Sequence, residues 1–336
     1  MISSFLLLVI FLITGGLGAT EYKNTVDSYP SDYKSLVEYA NIASFAYCVK
    51  HGLQPGPLGK KSSQCPIARC QLDEYKGLQV ISTFNFNEMG DVGAGLYAID
   101  IRSKRIILVY RGTSSRRDGL ANIDIFPMKY EPLINLVNGY EKVGCDGCRV
   151  HRGFYNFLKK DAYSIVTEVN QLWKQHKDYQ LVVVGHSLGA TLALLSGIEL
   201  QLMGLNPLVI TYASPKIGNK EMMMFVDTLF ESEKVAAMSL EHKELHHGYI
   251  RVVHEGDIVP SLPPTSVYRH GGVKYVINKP ELPHSPENIL REGMSSYAWD
   301  VSNMDYSKPA ILQNLNPIFQ EKEAHSSYFV KITGCT

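Results

Sequence analysis

Apolar residues recur along the chain in two patterns, which predict helices and strands in alternation. Helical spacing covers 32–50, 154–173 and 191–203. Strand-like segments lie at 79–86, 95–100, 105–110, 181–184, 208–212 and 249–253, and the run at 105–110 is continuously apolar, as in a strand that is buried on both faces of a sheet. The alternation predicts an α/β fold with a mostly parallel central sheet and covering helices.

The amino terminus carries a separate signal. The apolar run FLLLVIFLI at 5–13 is followed by small residues at 14–20. It is too short for the ~20 apolar residues of a membrane span and fits a secretory signal peptide, which we assign to 1–19. Because no Lys or Arg precedes the run, an uncleaved anchor is the alternative. Without repeats or a low-complexity linker, residues 20–336 are predicted to form a single domain.

Composition and charge exclude several classes of protein. The 336 residues are 45% hydrophobic, which excludes a disordered chain, and their 33 Lys and Arg balance 33 Asp and Glu. A net charge of zero gives no electrostatic reason to expect nucleic acid or an anionic membrane as a partner. Neither observation names an activity.

The six cysteines all follow the leader: Cys48, Cys65, Cys70, Cys145, Cys148 and Cys335. An even number in an oxidising compartment suggests three disulfides. The segments CPIARC and CDGC each hold a close pair, which leaves the first and last cysteines for a long-range bridge. A four-cysteine zinc site built from the two close pairs is the alternative.

The charged segment 228–248 separates two predicted sheet elements and is interpreted as a solvated helical insertion. His242, His246 and His247 have a spacing compatible with metal ligands. No acidic residue of obvious role lies nearby, so the solvated insertion is preferred and no metal is expected.

The sequence LVVVGHSLGA at 181–190 reads as a strand, a sharp turn and a helix. Small residues two before and two after Ser187 let the strand and helix pass closely, as in the turn that presents a nucleophilic serine. The N–H of Leu188 would then face a developing oxyanion at the helix N-terminus. The alternative is an ordinary turn in which Ser187 caps the helix.

A serine nucleophile needs a histidine base and an acid that orients it. In one common arrangement both follow the serine along the chain, the acid first. Asp257 stands just past the predicted strand at 249–253, and Asp227 and Glu255 are weaker candidates. Three histidines follow Asp257, and sequence position alone does not separate them: His270, His284 and His325.

Six segments together resemble fungal triacylglycerol lipases of class 3 over about 32–335. In chain order they are RGTSS (111–115), CDGCRVHRGF (145–154), GHSLGA (185–190), YASPKIGN (212–219), GDIVPSLPP (256–264) and AHSSYF (324–329). The resemblance implies an α/β-hydrolase fold with a short lid and no cofactor. It also implies the bridges Cys48–Cys335, Cys65–Cys70 and Cys145–Cys148.

The resemblance also selects the site residues. The family's base lies a few residues before the last cysteine and precedes an aromatic pair, which here gives His325, with Asp257 as the acid. The family's first oxyanion group follows the strand-ending Arg-Gly, which gives Thr113 beside Leu188. These residues and Ser187 form the expected site.

The lid departs from the family pattern. Segment 114–124 has Arg116 and Gly119 where family lids commonly have an aliphatic residue and Trp. A polar lid gains little by opening onto oil, because binding there scales with the apolar area buried.

The sequence thus predicts a secreted, monomeric serine ester hydrolase, foremost a triacylglycerol lipase that meets a lipid or ester substrate at an oil–water interface without stable membrane insertion. A carboxylesterase or feruloyl-type esterase on soluble esters is the alternative. An inactive lipid-binding homologue is a third interpretation, but it would be expected to lack a site residue.

Overall fold

A computed structural model of the protein describes residues 29–59, 65–86, 93–113, 124–136, 139, 141–263, 266–295, 297 and 323–335. The signal peptide assigned to 1–19 lies outside these residues. So does the predicted lid apart from its last residue, Asp124.

Helices and strands alternate through the middle of the described chain. The α-helices are α1 (Ser31–Ala46), α2 (Arg152–Phe157), α3 (Tyr163–Gln175), α4 (Leu188–Leu202), α5 (Lys220–Leu229) and α6 (Ser232–Leu240). The strands are β1 (Gly56–Pro57), β2 (Leu78–Asn85), β3 (Ala94–Asp100), β4 (Arg105–Tyr110), β5 (Pro127–Lys129), β6 (Arg149–His151), β7 (Gln180–His186), β8 (Leu208–Tyr212), β9 (Gly248–His254), β10 (Val273–Ile277), β11 (Ile289–Met294), β12 (Ser327–Tyr328) and β13 (Val330–Lys331).

Nine strands form the central sheet in the order β1-β2-β3-β4-β7-β8-β9-β10-β11. Its middle, from β4 through β10, is parallel, and Val184 of β7 lies between Val109 of β4 and Ile210 of β8. Antiparallel strands flank this middle on both sides. The predicted parallel centre of the sheet is confirmed. The antiparallel strands at its two edges were not predicted. For β3 and β4 the reason for antiparallel pairing is the short connection between them, which permits no other arrangement.

Helices and loops cover both faces of the sheet. Within β7, Val182 and Val184 pack on the face that meets α1 and the C-terminal segment. Leu181 and Val183 pack on the opposite face, against α3 and α4. Burial on both faces explains why the central strands read as continuous apolar runs.

Two predicted helical segments are present, but one ends in a different type of helix and the other is partly buried. The first predicted helix is α1 followed by a 3₁₀ turn, Tyr47–His51. The segment 228–248 contains α6, but Val235 and Leu245 are buried, so one side of this insertion packs on the core and is not solvated. The segment runs directly into β9, and β10 and β11 come later in the chain.

Three disulfides join the cysteines in the pairs the resemblance implies. Cys48–Cys335 spans 287 residues and ties the turn after α1 to the C-terminal segment. The other two close short loops, Cys65–Cys70 and Cys145–Cys148. The zinc alternative is therefore wrong, because no described cysteine is free. Within the described residues, no helix is long and apolar enough to cross a membrane, and no three potential ligands group around a metal position.

Candidate active site

Ser187 occupies the sharp turn between β7 and α4. Its φ of 56° and ψ of −128° lie outside the regions that L-residues normally adopt, and its side chain makes no capping hydrogen bond to the helix. The helix-cap interpretation is therefore wrong. A strained backbone at this position is the geometry that lifts a serine hydroxyl above the end of a sheet.

The glycines on either side of Ser187 are required by close backbone packing. A Cβ on Gly185 would lie 2.3 Å from the carbonyl oxygen of Gly189. A Cβ on Gly189 would lie 2.4 Å from the carbonyl oxygen of Arg111, just past β4. The small residues therefore let β7, α4 and the end of β4 meet at the serine.

The structure brings Ser187, His325 and Asp257 together from three distant parts of the chain. His325 Nε2 lies 3.0 Å from Ser187 Oγ, and its Nδ1 lies 3.0 Å from each carboxylate oxygen of Asp257. All three side chains are buried. Asp257 follows β9 and His325 precedes β12, so the order along the chain is Ser187, Asp257, His325.

Asp257 is held as a carboxylate by its neighbours. Tyr328 Oη donates to Oδ2 at 2.6 Å, and the Val259 N–H donates to Oδ1 at 3.0 Å. Burial alone raises the pKa of Asp257, but the charge and hydrogen bond of His325, with these two further donors, bring it below its usual value. An ionised Asp257 holds the proton of His325 on Nδ1 and leaves Nε2 to accept from the serine. Tyr328 belongs to the aromatic pair that follows His325. The sequence pattern gave no sign of its hydrogen bond to Asp257.

The two weaker acid candidates lie elsewhere. Asp227 is buried, and its carboxylate accepts from Ser232 Oγ at 2.6 Å and from the Gly272 N–H at 2.6 Å. It thereby ties α5 to α6 and to the start of β10, which is a structural task. Glu255 is exposed in the turn after β9.

The other two histidine candidates are also engaged in structure. His270 Nε2 donates to the carbonyl oxygen of Pro260 at 2.7 Å. His284 Nδ1 accepts from the N–H of Phe329 at 3.1 Å, and so holds the segment that follows His325. Neither ring bonds to Ser187.

His284 predicts a stability that depends on pH. Burial, aided by the nearby His254, lowers the pKa of His284 to about 4. A lowered folded-state pKa means that its contribution is complete above the unfolded value of about 6.5 and is lost as pH falls towards 4. We expect His284→Asn, whose side-chain oxygen still accepts from Phe329, to lose less Tm between pH 8 and pH 5 than the wild type, by about 2–4 °C, as measured by calorimetry. An unchanged pH dependence would contradict a neutral, buried His284.

The two expected oxyanion residues flank the serine. Thr113 is buried directly after β4, and Leu188 is buried at the N-terminus of α4. A Cβ on Gly112 would lie 2.8 Å from Ser187 Cβ, which shows how closely the strand before Thr113 passes the turn. Leu188 is the first residue of α4, where backbone N–H groups point out of the helix N-terminus and the helix dipole is positive.

The chain is similar in sequence to known lipases. Residues 107–267 match the model of the family described as "Lipase (class 3)". The chain is 32% identical over 321 residues to "Putative lipase LIH1" of Saccharomyces cerevisiae, covering 91% of this chain and 95% of that protein. It is 28% identical over 317 residues to "Secreted mono- and diacylglycerol lipase A" of Penicillium camembertii, covering 94% and 89%.

Solved structures show the same architecture. The crystal structure of Lip2 lipase from Yarrowia lipolytica superposes with a TM-score of 0.69 at 29% identity, covering 89% of this chain and 93% of that one. The fold is therefore the α/β-hydrolase fold, as the resemblance implied. The family match, the coverage of nearly the whole Saccharomyces cerevisiae relative and the shared fold all point to one family. The chain belongs to the class 3 lipase family of fungi.

Proposed function

We propose that this protein is a secreted serine ester hydrolase, specifically a triacylglycerol lipase that works through an acyl-enzyme. One observation carries the proposal. Ser187 Oγ, His325 Nε2 and Nδ1, and the Asp257 carboxylate form a continuous hydrogen-bonded series with 3.0 Å steps at a strained strand–helix turn.

In the proposed reaction His325 takes the proton of Ser187 as Oγ attacks the ester carbonyl. Asp257 stabilises the imidazolium that forms. His325 then gives the proton to the departing alcohol, leaving the acyl group on Ser187. Water, deprotonated by the same histidine, attacks the acyl carbon, and the histidine then returns that proton to Ser187 Oγ as the bond between Oγ and the acyl group breaks and the acid leaves. The reaction needs no metal or organic cofactor.

Stabilisation of the tetrahedral oxyanion is assigned to the N–H groups of Thr113 and Leu188, with the Thr113 hydroxyl as a further donor. Such donors act strongly in a buried site, because they are already oriented when the charge develops. The burial of both residues supports this assignment.

A lipid substrate is supported by exposed apolar side chains, one of which is next to Asp257 in the sequence. Ile258, next to Asp257, is 39% exposed, and Phe126, shortly after the predicted lid, is 64% exposed. Val267 is also exposed, and its neighbour Tyr268 donates to the carbonyl oxygen of Ile125 at 2.6 Å, which joins these segments. Exposed apolar side chains of this kind favour contact with acyl chains or an oil surface.

Secretion is supported by the leader, by the three disulfides and by relatives named as secreted lipases in Gibberella zeae and Penicillium. We further propose that the protein acts as a monomer, without nucleic acid or stable membrane insertion.

A carboxylesterase on soluble esters is the second candidate, because the lid sequence at 114–124 is polar. The test is the initial rate on tributyrin, taken through its solubility limit, with Ser187→Ala as the control. A lipase gives a jump in rate when droplets form. Smooth saturation below the limit, together with faster turnover of soluble or feruloyl esters, would replace the lipase proposal with the esterase. No rate on any ester would favour an inactive homologue.

A further inference from the structure

A hydrogen-bonded network lies directly behind the proposed catalytic groups. Tyr47, in the 3₁₀ turn after α1, is buried with its Oη 2.5 Å from Nδ1 of His186. The N–H of Gly112 donates to the same Oη at 3.1 Å. On the far side of the ring, His186 Nε2 lies 2.9 Å from the carbonyl oxygen of His325.

The carbonyl of His325 and the N–H of Gly112 fix the direction of two of the three bonds. A carbonyl oxygen only accepts, so His186 Nε2 carries a proton and donates to His325. In a neutral ring Nδ1 is then the acceptor, and Tyr47 donates its hydroxyl proton to it. The hydroxyl oxygen keeps a lone pair for the Gly112 N–H. With this assignment each of the three bonds has one donor and one acceptor, and the His186 ring bridges Tyr47 and His325.

Three groups of the network belong to, or directly precede in the sequence, a residue of the proposed reaction. Gly112 precedes the oxyanion residue Thr113, His186 precedes the nucleophile Ser187, and the bridged carbonyl belongs to His325 itself. Tyr47 also precedes Cys48, whose disulfide to Cys335 anchors the C-terminal segment that carries His325. Four distant parts of the chain thus meet at two buried side chains.

We infer that Tyr47 and His186 are positioning residues for ester hydrolysis, which hold the Thr113 amide, the Ser187 turn and the His325 backbone in their working arrangement. The inference rests on the proposed function. Neither side chain enters the proton transfers, so both act through the groups they hold. Small displacements matter here, because an oxyanion donor is effective only at about 2.7–3.1 Å from the developing charge.

The test is Tyr47→Phe, which keeps the ring and removes the hydroxyl that accepts from Gly112 and donates to His186. We expect kcat on p-nitrophenyl butyrate to fall about tenfold, with KM within about twofold of the wild type. The loss is smaller than the 10²–10³-fold loss on deletion of an oxyanion donor, because the donor here is displaced and not removed.

The matched control is Tyr275→Phe. Tyr275 is also fully buried and donates its hydroxyl to Asp32 Oδ2 at 3.1 Å, but it lies in β10 near the start of α1, away from the network. Both variants lose one buried hydroxyl and should lose comparable Tm. Only Tyr47→Phe should lose kcat. A kcat for Tyr47→Phe within twofold of that of Tyr275→Phe would overturn the inference and leave Tyr47 a stabilising residue only.

A second readout does not depend on the choice of substrate. The second-order rate of Ser187 labelling by a fluorophosphonate should also fall about tenfold in Tyr47→Phe, because the phosphoryl oxygen uses the same oxyanion donors. If that variant does not accumulate as folded protein, His186→Gln replaces it: the amide N–H still reaches for the His325 carbonyl, but the acceptor for Tyr47 is lost. Unaltered labelling in the folded variant would overturn the inference. Absence of labelling in the wild type would instead overturn the proposed function.

Discussion

Ser187→Ala is expected to lower kcat on p-nitrophenyl butyrate by about 10⁴–10⁶-fold, with little change in Tm. The alanine side chain has no hydroxyl to act as a nucleophile. The rest of the site accelerates the direct attack of water on the ester only weakly. Because the serine and histidine act as one unit, the double variant Ser187→Ala with His325→Ala should lose little more than the single variant. Steady-state rates of the purified proteins provide the measurement.

The control for this prediction is Ser196→Ala in α4, the helix that follows Ser187. Ser196 is buried and bonds to Tyr110 Oη at 2.8 Å, so its replacement tests the loss of a buried hydroxyl on α4 without touching the nucleophile. Its kcat should stay within about twofold of the wild type. Ser187→Ala protein that retains a tenth or more of wild-type activity would show that another residue is the nucleophile.

Asp257→Asn is expected to lower kcat by about 10⁴-fold at neutral pH. The amide carries no charge to stabilise the imidazolium of His325. Its NH₂ group, when turned towards Nδ1, forces the proton onto Nε2, where it blocks acceptance from Ser187. Tyr328 donates to Oδ2 and so favours the carbonyl oxygen at that position, which puts the NH₂ in the place of Oδ1, 3.0 Å from Nδ1 of His325 and against the N–H of Val259. The measurement is the pH profile of kcat/KM for the variant and the wild type.

Asp227→Asn is the matched control for this substitution. Asp227 is equally buried and accepts three hydrogen bonds, but from Ser232, Gly272 and Tyr297, which belong to the scaffold. We expect it to lower Tm while leaving kcat of the folded enzyme within about threefold. The reverse pattern, with activity lost in Asp227→Asn and kept in Asp257→Asn, would reassign the acid.

The central strands and the nucleophile turn were accessible from the sequence because their signals are local. Strands β4 and β8 match the predicted ranges 105–110 and 208–212, since burial on both faces leaves mostly apolar residues there. Ser187 is identified by the glycines that its turn requires. Strand β10 was missed, because its run of five residues follows Gly271 and Gly272 and carries Lys274.

The rest of the site depends on contacts between distant residues. His325 lies 138 residues from Ser187, and no local pattern distinguishes it from His270 or His284; only the family resemblance selected it. Tyr47 reads as one more apolar position on the first helix, and its hydroxyl acquires a role only when the fold brings it to His186. Periodicity reports which face is buried, but not which polar atom meets which partner.

The most direct test of the central claim, that Ser187 is the nucleophile of an acyl-transfer site, is the labelling of purified wild-type protein by a fluorophosphonate, followed by peptide mass mapping. The account predicts one phosphonyl group per chain, on the peptide that contains Ser187, together with loss of ester hydrolysis in proportion to labelling. It predicts no labelling in Ser187→Ala, and much slower labelling in His325→Ala. Modification at another serine, or full hydrolytic activity in completely labelled protein, would contradict the account.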